Sequence, residues 1–107
     1  MGINKDRINL RVAGMDIPLN IVESFPDGSL GEYDGNVREI SISKACFKDV
    51  NLFRSTLVHE VVHCALDLSG ANYGMSSKTE EQVVTAVEAL AIPAIRSIDK
   101  AFIQQPS

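Results

Sequence analysis

Tryptophan is absent from this sequence, and cysteine and histidine occur twice each; aromatic residues make up 6%. Two cysteines, Cys46 and Cys64, are too few for a disulfide framework, so both are expected as reduced thiols. No apolar run reaches the length of a membrane span, which excludes a transmembrane helix. Basic side chains are outnumbered, 10 Lys and Arg against 14 Asp and Glu, for a net charge of −4. That sign argues against a phosphate-tracking surface and hence against nucleic acid as the main partner. Residues Met1 to Arg7 lead into no signal-peptide apolar region, and Asp6 stands where myristoylation needs Ser or Thr. The expectation is a cytoplasmic protein of one domain, residues 1–107, with no membrane or nucleic-acid partner.

What is present is a moderately apolar chain, 45% hydrophobic, with two kinds of periodicity. Residues 8–13 alternate apolar and polar, as a half-buried strand does, and Gly14-Met15-Asp16 reads as a turn. Residues 17–23 alternate again, with Pro18 expected at a strand start or on an edge. Ser24 through Gly31 reads as a loop, and Asp34-Gly35 as a turn between two strands. The clearest strand is Val37 to Ser43. A helix is expected from about Leu52 to Leu68, capped by Asn51 and stopped by Gly70. Ser77-Lys78-Thr79-Glu80 has the capping-box pattern of a second helix running from about Thr79, with an apolar stripe through Val83, Val84, Val87, Leu90 and Ala91. Pro93 should bend or break it, with helix resuming over 94–103 and the last four residues fraying. The fold class is therefore α+β, a small N-terminal antiparallel or mixed sheet followed by two helices.

Both histidines lie in the first helix, in the run His59-Glu60-Val61-Val62-His63. Residues four apart share a helix face, so the two imidazoles can meet one divalent ion, with Glu60 within reach of its water. A buried helix with two hydrogen-bonded histidines is the ordinary alternative. It is disfavoured because an unpaired carboxylate inside an apolar segment costs several kcal/mol, roughly. A catalytic zinc site takes three protein ligands and leaves one position for water, so a third ligand is needed. Glu80 is the first choice, because it shares a face with the apolar stripe; Glu81 and Glu88 remain alternatives, and Glu80 could instead serve only as a helix-capping acid. Asp67, one turn beyond His63, is a candidate hydrogen-bond acceptor for a ligand imidazole, or else a solvated surface acid. Tyr73 is a candidate oxyanion donor, Tyr33 being the other phenol. Cys64 is turned about 100° from His63 and is expected to pack rather than ligate.

The His-Glu-x-x-His run, followed after a short linker by Glu80-Glu81 on a second helix, resembles small gluzincin-type zinc metallopeptidases. The chain is most similar to compact ImmA/IrrE-like peptidases and to short metallopeptidases encoded by bacteriophages. The likeness covers residues 37–93; Val83-Val84 replaces the Ala-Asn pair of the ImmA/IrrE-like pattern, and Leu90-Ala91-Ile92-Pro93 keeps its apolar ending in proline. The resemblance implies a minimal zincin-like fold, Zn2+ as cofactor, and a cytosolic location, bacterial or that of a phage-infected host. It also implies a peptide or protein substrate, with a larger protein partner for a chain of this size. Zinc held by His59, His63 and Glu80 would activate water for attack on a peptide bond, with Glu60 as general base. The Val37–Ser43 strand would pair with an extended substrate at the sheet edge. The competing function is a non-proteolytic zinc-binding interaction module; a third is a structural zinc site in a larger assembly, which four protein ligands would close.

Overall fold

Alternation from Ile8 to Val12 buries one face of a pleated strand and leaves the other in solvent. In the computed structural model, which describes residues 7–102, this stretch is strand β1 (Arg7–Val12). The readings for residues 1–6 and 103–107 lie outside the described residues. The chain reverses through Ala13 and Gly14, both with positive φ, 51° and 78°. Such a two-residue turn has the twist that lets strands pair without splaying. Strand β2 (Met15–Val22) then returns antiparallel, Leu10 facing Ile17. The turn thus ends before Met15, two residues ahead of the expected strand start.

β3 (Gly31–Asp34) and β4 (Glu39–Ser43) form an antiparallel hairpin, and β4 also pairs in parallel with β2. The sheet order is β1-β2-β4-β3. Two expectations change. First, β4 has a neighbour on each side, so the strand expected to pair with a substrate has no open edge; β3 occupies the edge instead. Second, β4 begins at Glu39: Val37 is exposed in the turn, and Arg38 takes the left-handed conformation at φ 55°. Val37 is out of parity with Ile40 and Ile42, so it cannot join their buried face. Pro18 keeps its expected place in a local sense. β2 pairs with β4 only from Leu19 onward, and Pro18, which has no N–H to donate, falls in the part of β2 bordered by β1 alone.

One face of the sheet carries Ile17, Leu19, Ile40 and Ile42, all essentially inaccessible, and helix α1 (Val50–Ser69) lies over it with Phe53, Leu57, Val61 and Ala65 packed on this core. Cys64 and Cys46 are buried and free. A 3₁₀ turn (Lys44–Lys48) leads in, capped by the Ser43 hydroxyl, which accepts from the Ala45 N–H. The α1 cap is Asp49 rather than Asn51: its Oδ1 accepts the Asn51 N–H at 2.8 Å, so the helix starts two residues earlier than expected. Gly70 ends it in the left-handed conformation, φ 78°.

Contacts divide the chain into two compact units, Met1–Gly74 and Met75–Ser107. The second begins with helix α2 (Ser77–Ala86), capped by Ser76, whose Oγ accepts the Thr79 N–H at 3.1 Å. The cap is therefore one residue before the expected box, and Glu80 lies beyond the position that reciprocates an N-cap. A π-helical turn (Val87–Ala91) follows, and helix α3 (Ile92–Phe102) continues from it. Proline inside a helix removes an N–H and crowds the carbonyl four residues back. Here the strain is met by widening the turn just ahead of Pro93, with the Ile92 N–H reaching back to the Val87 carbonyl, and not by a break. No helix among the described residues is long and apolar enough to cross a membrane.

Candidate metal centre

His59 and His63 stand one turn apart on α1, and helix geometry brings their rings edge to face: the centroids are 5.1 Å apart at an interplanar angle of 67°. Both are half-buried. Ligand atoms of His59, His63 and Glu81 all lie within 4.8 Å of one another, and this group could hold a metal ion. Two imidazole nitrogens and a carboxylate oxygen are the donor set of a three-ligand divalent site, so the residues present fit such an ion. The carboxylate in the group is Glu81, the second choice from sequence; Glu80, the first choice, is not in it. Glu80 is the less exposed of the two, as its place on the apolar stripe requires.

Glu60, between the two histidines, is 8% exposed. Among the described residues no buried side-chain nitrogen or oxygen lacks a hydrogen-bond partner, so this carboxylate is accommodated rather than stranded. Edge strand β3 runs beside the same helix. Its residues Gly31 and Tyr33 point to the helix side, opposite Ile42 and Ile40 of β4. Gly31 approaches α1 so closely that a β-carbon there would lie 2.8 Å from Thr56 Cγ2 and 3.1 Å from Glu60 Cγ.

Tyr33 meets the C-terminal turns of α1. Its hydroxyl donates to Asp67 Oδ2 at 2.7 Å. Burial is the main reason that Tyr33 holds its proton well above the usual tyrosine range, and the bond to Asp67 adds to it. Cys64 shares this pocket; burial pushes its thiol up, while its hydrogen bond with Tyr33 works the other way. Asp67, expected to accept from an imidazole, is thus the acceptor that ties β3 to α1. Tyr73 lies in the turn after α1 and is 94% exposed.

Gly31 was missed by reading residues 24–31 as loop, and the bond from Tyr33 to Asp67 was not foreseen. A signal was there: an isolated glycine two positions before a tyrosine, in a stretch ending on Asp-Gly, fits a short strand where backbone approaches a neighbour closely. Comparison of the chain with protein-family models, curated proteins and solved structures finds no match.

Proposed function

We propose that the chain is a zinc-dependent metallopeptidase that hydrolyses a peptide bond. The observation that carries the reading is the convergence of His59, His63 and Glu81, with the buried carboxylate of Glu60 between the two histidines on the same helix. His59, His63 and Glu81 would hold the ion, and three protein ligands leave a coordination position for water or substrate. A bound Zn2+ supplies Lewis acidity, making water acidic near neutral pH and polarising a carbonyl.

The rest is done by the chain itself. Glu60 accepts the proton of the attacking water on a carboxylate oxygen and delivers it to the departing amine nitrogen. Its burial excludes bulk water from that transfer and keeps the proton within the site. An extended peptide can pair with the outer edge of β3, whose other edge is taken by β4, and main-chain bonding of that kind accepts many side-chain sequences.

Metal analysis of the purified protein should find one zinc per chain. Glu60→Gln should leave that zinc bound and abolish cleavage of an unstructured protein or a peptide library. Turnover unchanged in Glu60→Gln would eliminate the mechanism, and zinc retained without any cleavage by the unaltered protein would favour a non-proteolytic binding module.

A further inference from the structure

Gly31 occupies extended backbone in β3, so left-handed freedom is not what it supplies. Space is. Its missing side chain lies on the helix-facing side of the edge strand, in register with Ile42. A β-carbon at this point would meet Thr56 Cγ2 at 2.8 Å, Glu60 Cγ at 3.1 Å and Ile42 Cδ1 at 3.1 Å. The first distance is shorter than real carbon contacts allow, and the other two are tight. Thr56 and Glu60 are one turn apart on α1, so both project toward the strand at the same place. Ile42 is fully buried and has no room to retreat. Of the three neighbours, Glu60 has the longest side chain and the most rotatable bonds between backbone and head group. A methyl group at position 31 would therefore have to displace Thr56 and, as the most flexible of the three, Glu60.

We propose that Gly31 is a positioning residue for Glu60: the space it leaves fixes the rotamer, and hence the place, of the Glu60 carboxylate. This rests on the metallopeptidase reading for its consequence in turnover, but not for its geometry. β3 then does more than offer an edge. Through Gly31 it borders the Glu60 side chain, and through Tyr33 it grips Asp67 further along the same helix.

The test is Gly31→Ala alone and with Thr56→Ser, which removes the Cγ2 atom responsible for the shortest contact. Glu60 is followed by the carboxylate carbon resonance of isotope-labelled protein, assigned with Glu60→Gln. Zinc affinity and peptide turnover are measured alongside. The expected result is a lower melting temperature for Gly31→Ala, restored by Thr56→Ser. The Glu60 resonance stays displaced in both variants. Zinc affinity stays within about twofold while kcat falls by about a hundredfold, the scale of a reacting group misplaced by an ångström. A double variant whose Glu60 resonance matches that of the unaltered protein overturns the proposal, since the glycine then serves only strand packing. A double variant that does not fold overturns it equally. If the unaltered protein cleaves nothing, the metallopeptidase reading fails, and the resonance still decides whether Gly31 places Glu60.

Discussion

The two compact units put their apolar side chains to opposite use. In the first, Ile40 and Ile42 of the inner strand β4 are wholly inaccessible, and α1 lays an apolar face over them. In the second, most large apolar residues of the last two helical segments face outward: Leu90 is 71% exposed, Ile98 57% and Phe102 80%. Hydrophobic stabilisation scales with the area removed from water. The first unit therefore holds its fold through burial, while the second presents similar side chains whose burial is not realised within it. The imidazoles stand on the well-packed unit, where a helix seated on a sheet keeps the angle between them. The same substitution should accordingly have unequal consequences in the two places.

The largest effect belongs to the inner strand. Ile42→Ala removes a fully buried side chain from between α1 and the sheet and should cost about 2–5 kcal/mol, read as a lower urea midpoint with an unchanged slope. A cost below about 1 kcal/mol would mean that the core collapses around the gap, against the close packing that Gly31 also reports. Next comes the metal. Zinc at a hundred times its dissociation constant should add about 2.7 kcal/mol to the stability of the folded chain. His63→Ala should erase that increment while changing the metal-free stability little, because the imidazole is only half-buried. A zinc-dependent rise in melting temperature that survives His63→Ala would place the ion elsewhere.

Local periodicity made much of this legible in the sequence. The strands of the first hairpin follow from alternation, and the neighbouring histidines follow from a spacing of four on a helix. The α+β class followed from the same two periods. What escaped depends on partners distant in the chain. Nothing in residues 37–43 says that β2 will pair with them in parallel, so an inner strand read as an edge. Asp49 and Asn51 are both good caps, and only the accepted N–H distinguishes them. Gly31 looked like loop glycine because the helix that needs its emptiness arrives some thirty residues later.

A smaller effect tests how firmly β3 is tied to α1. Tyr33→Phe removes the bond to Asp67 and should cost about 1 kcal/mol at neutral pH. It should also change the alkaline limb. Folded Tyr33 keeps its proton to higher pH than the unfolded chain does, so its contribution is intact below about pH 10 and is lost as pH rises toward the folded value. The variant should therefore start lower and fall less steeply above about pH 10. Parallel stability curves for the two proteins would show that folding does not hold the Tyr33 proton.

The smallest effect decides whether the contrast between the units is real. Ile98→Gln puts an amide where the helix already faces water, and should change stability by less than about 0.5 kcal/mol. The same exchange at Ile40, which has no exposure at all, would bury an unsatisfied amide in the sheet core and should prevent folding. Both exchanges remove the same side-chain volume, and propensity differences of a few tenths of a kcal/mol, roughly, are small beside the difference in burial. Urea titration of Ile98→Gln measures the outward side directly. A loss of about 2 kcal/mol or more there would mean that the α3 face is covered in solution, and that the second unit, like the first, draws its stability from apolar surface withdrawn from water.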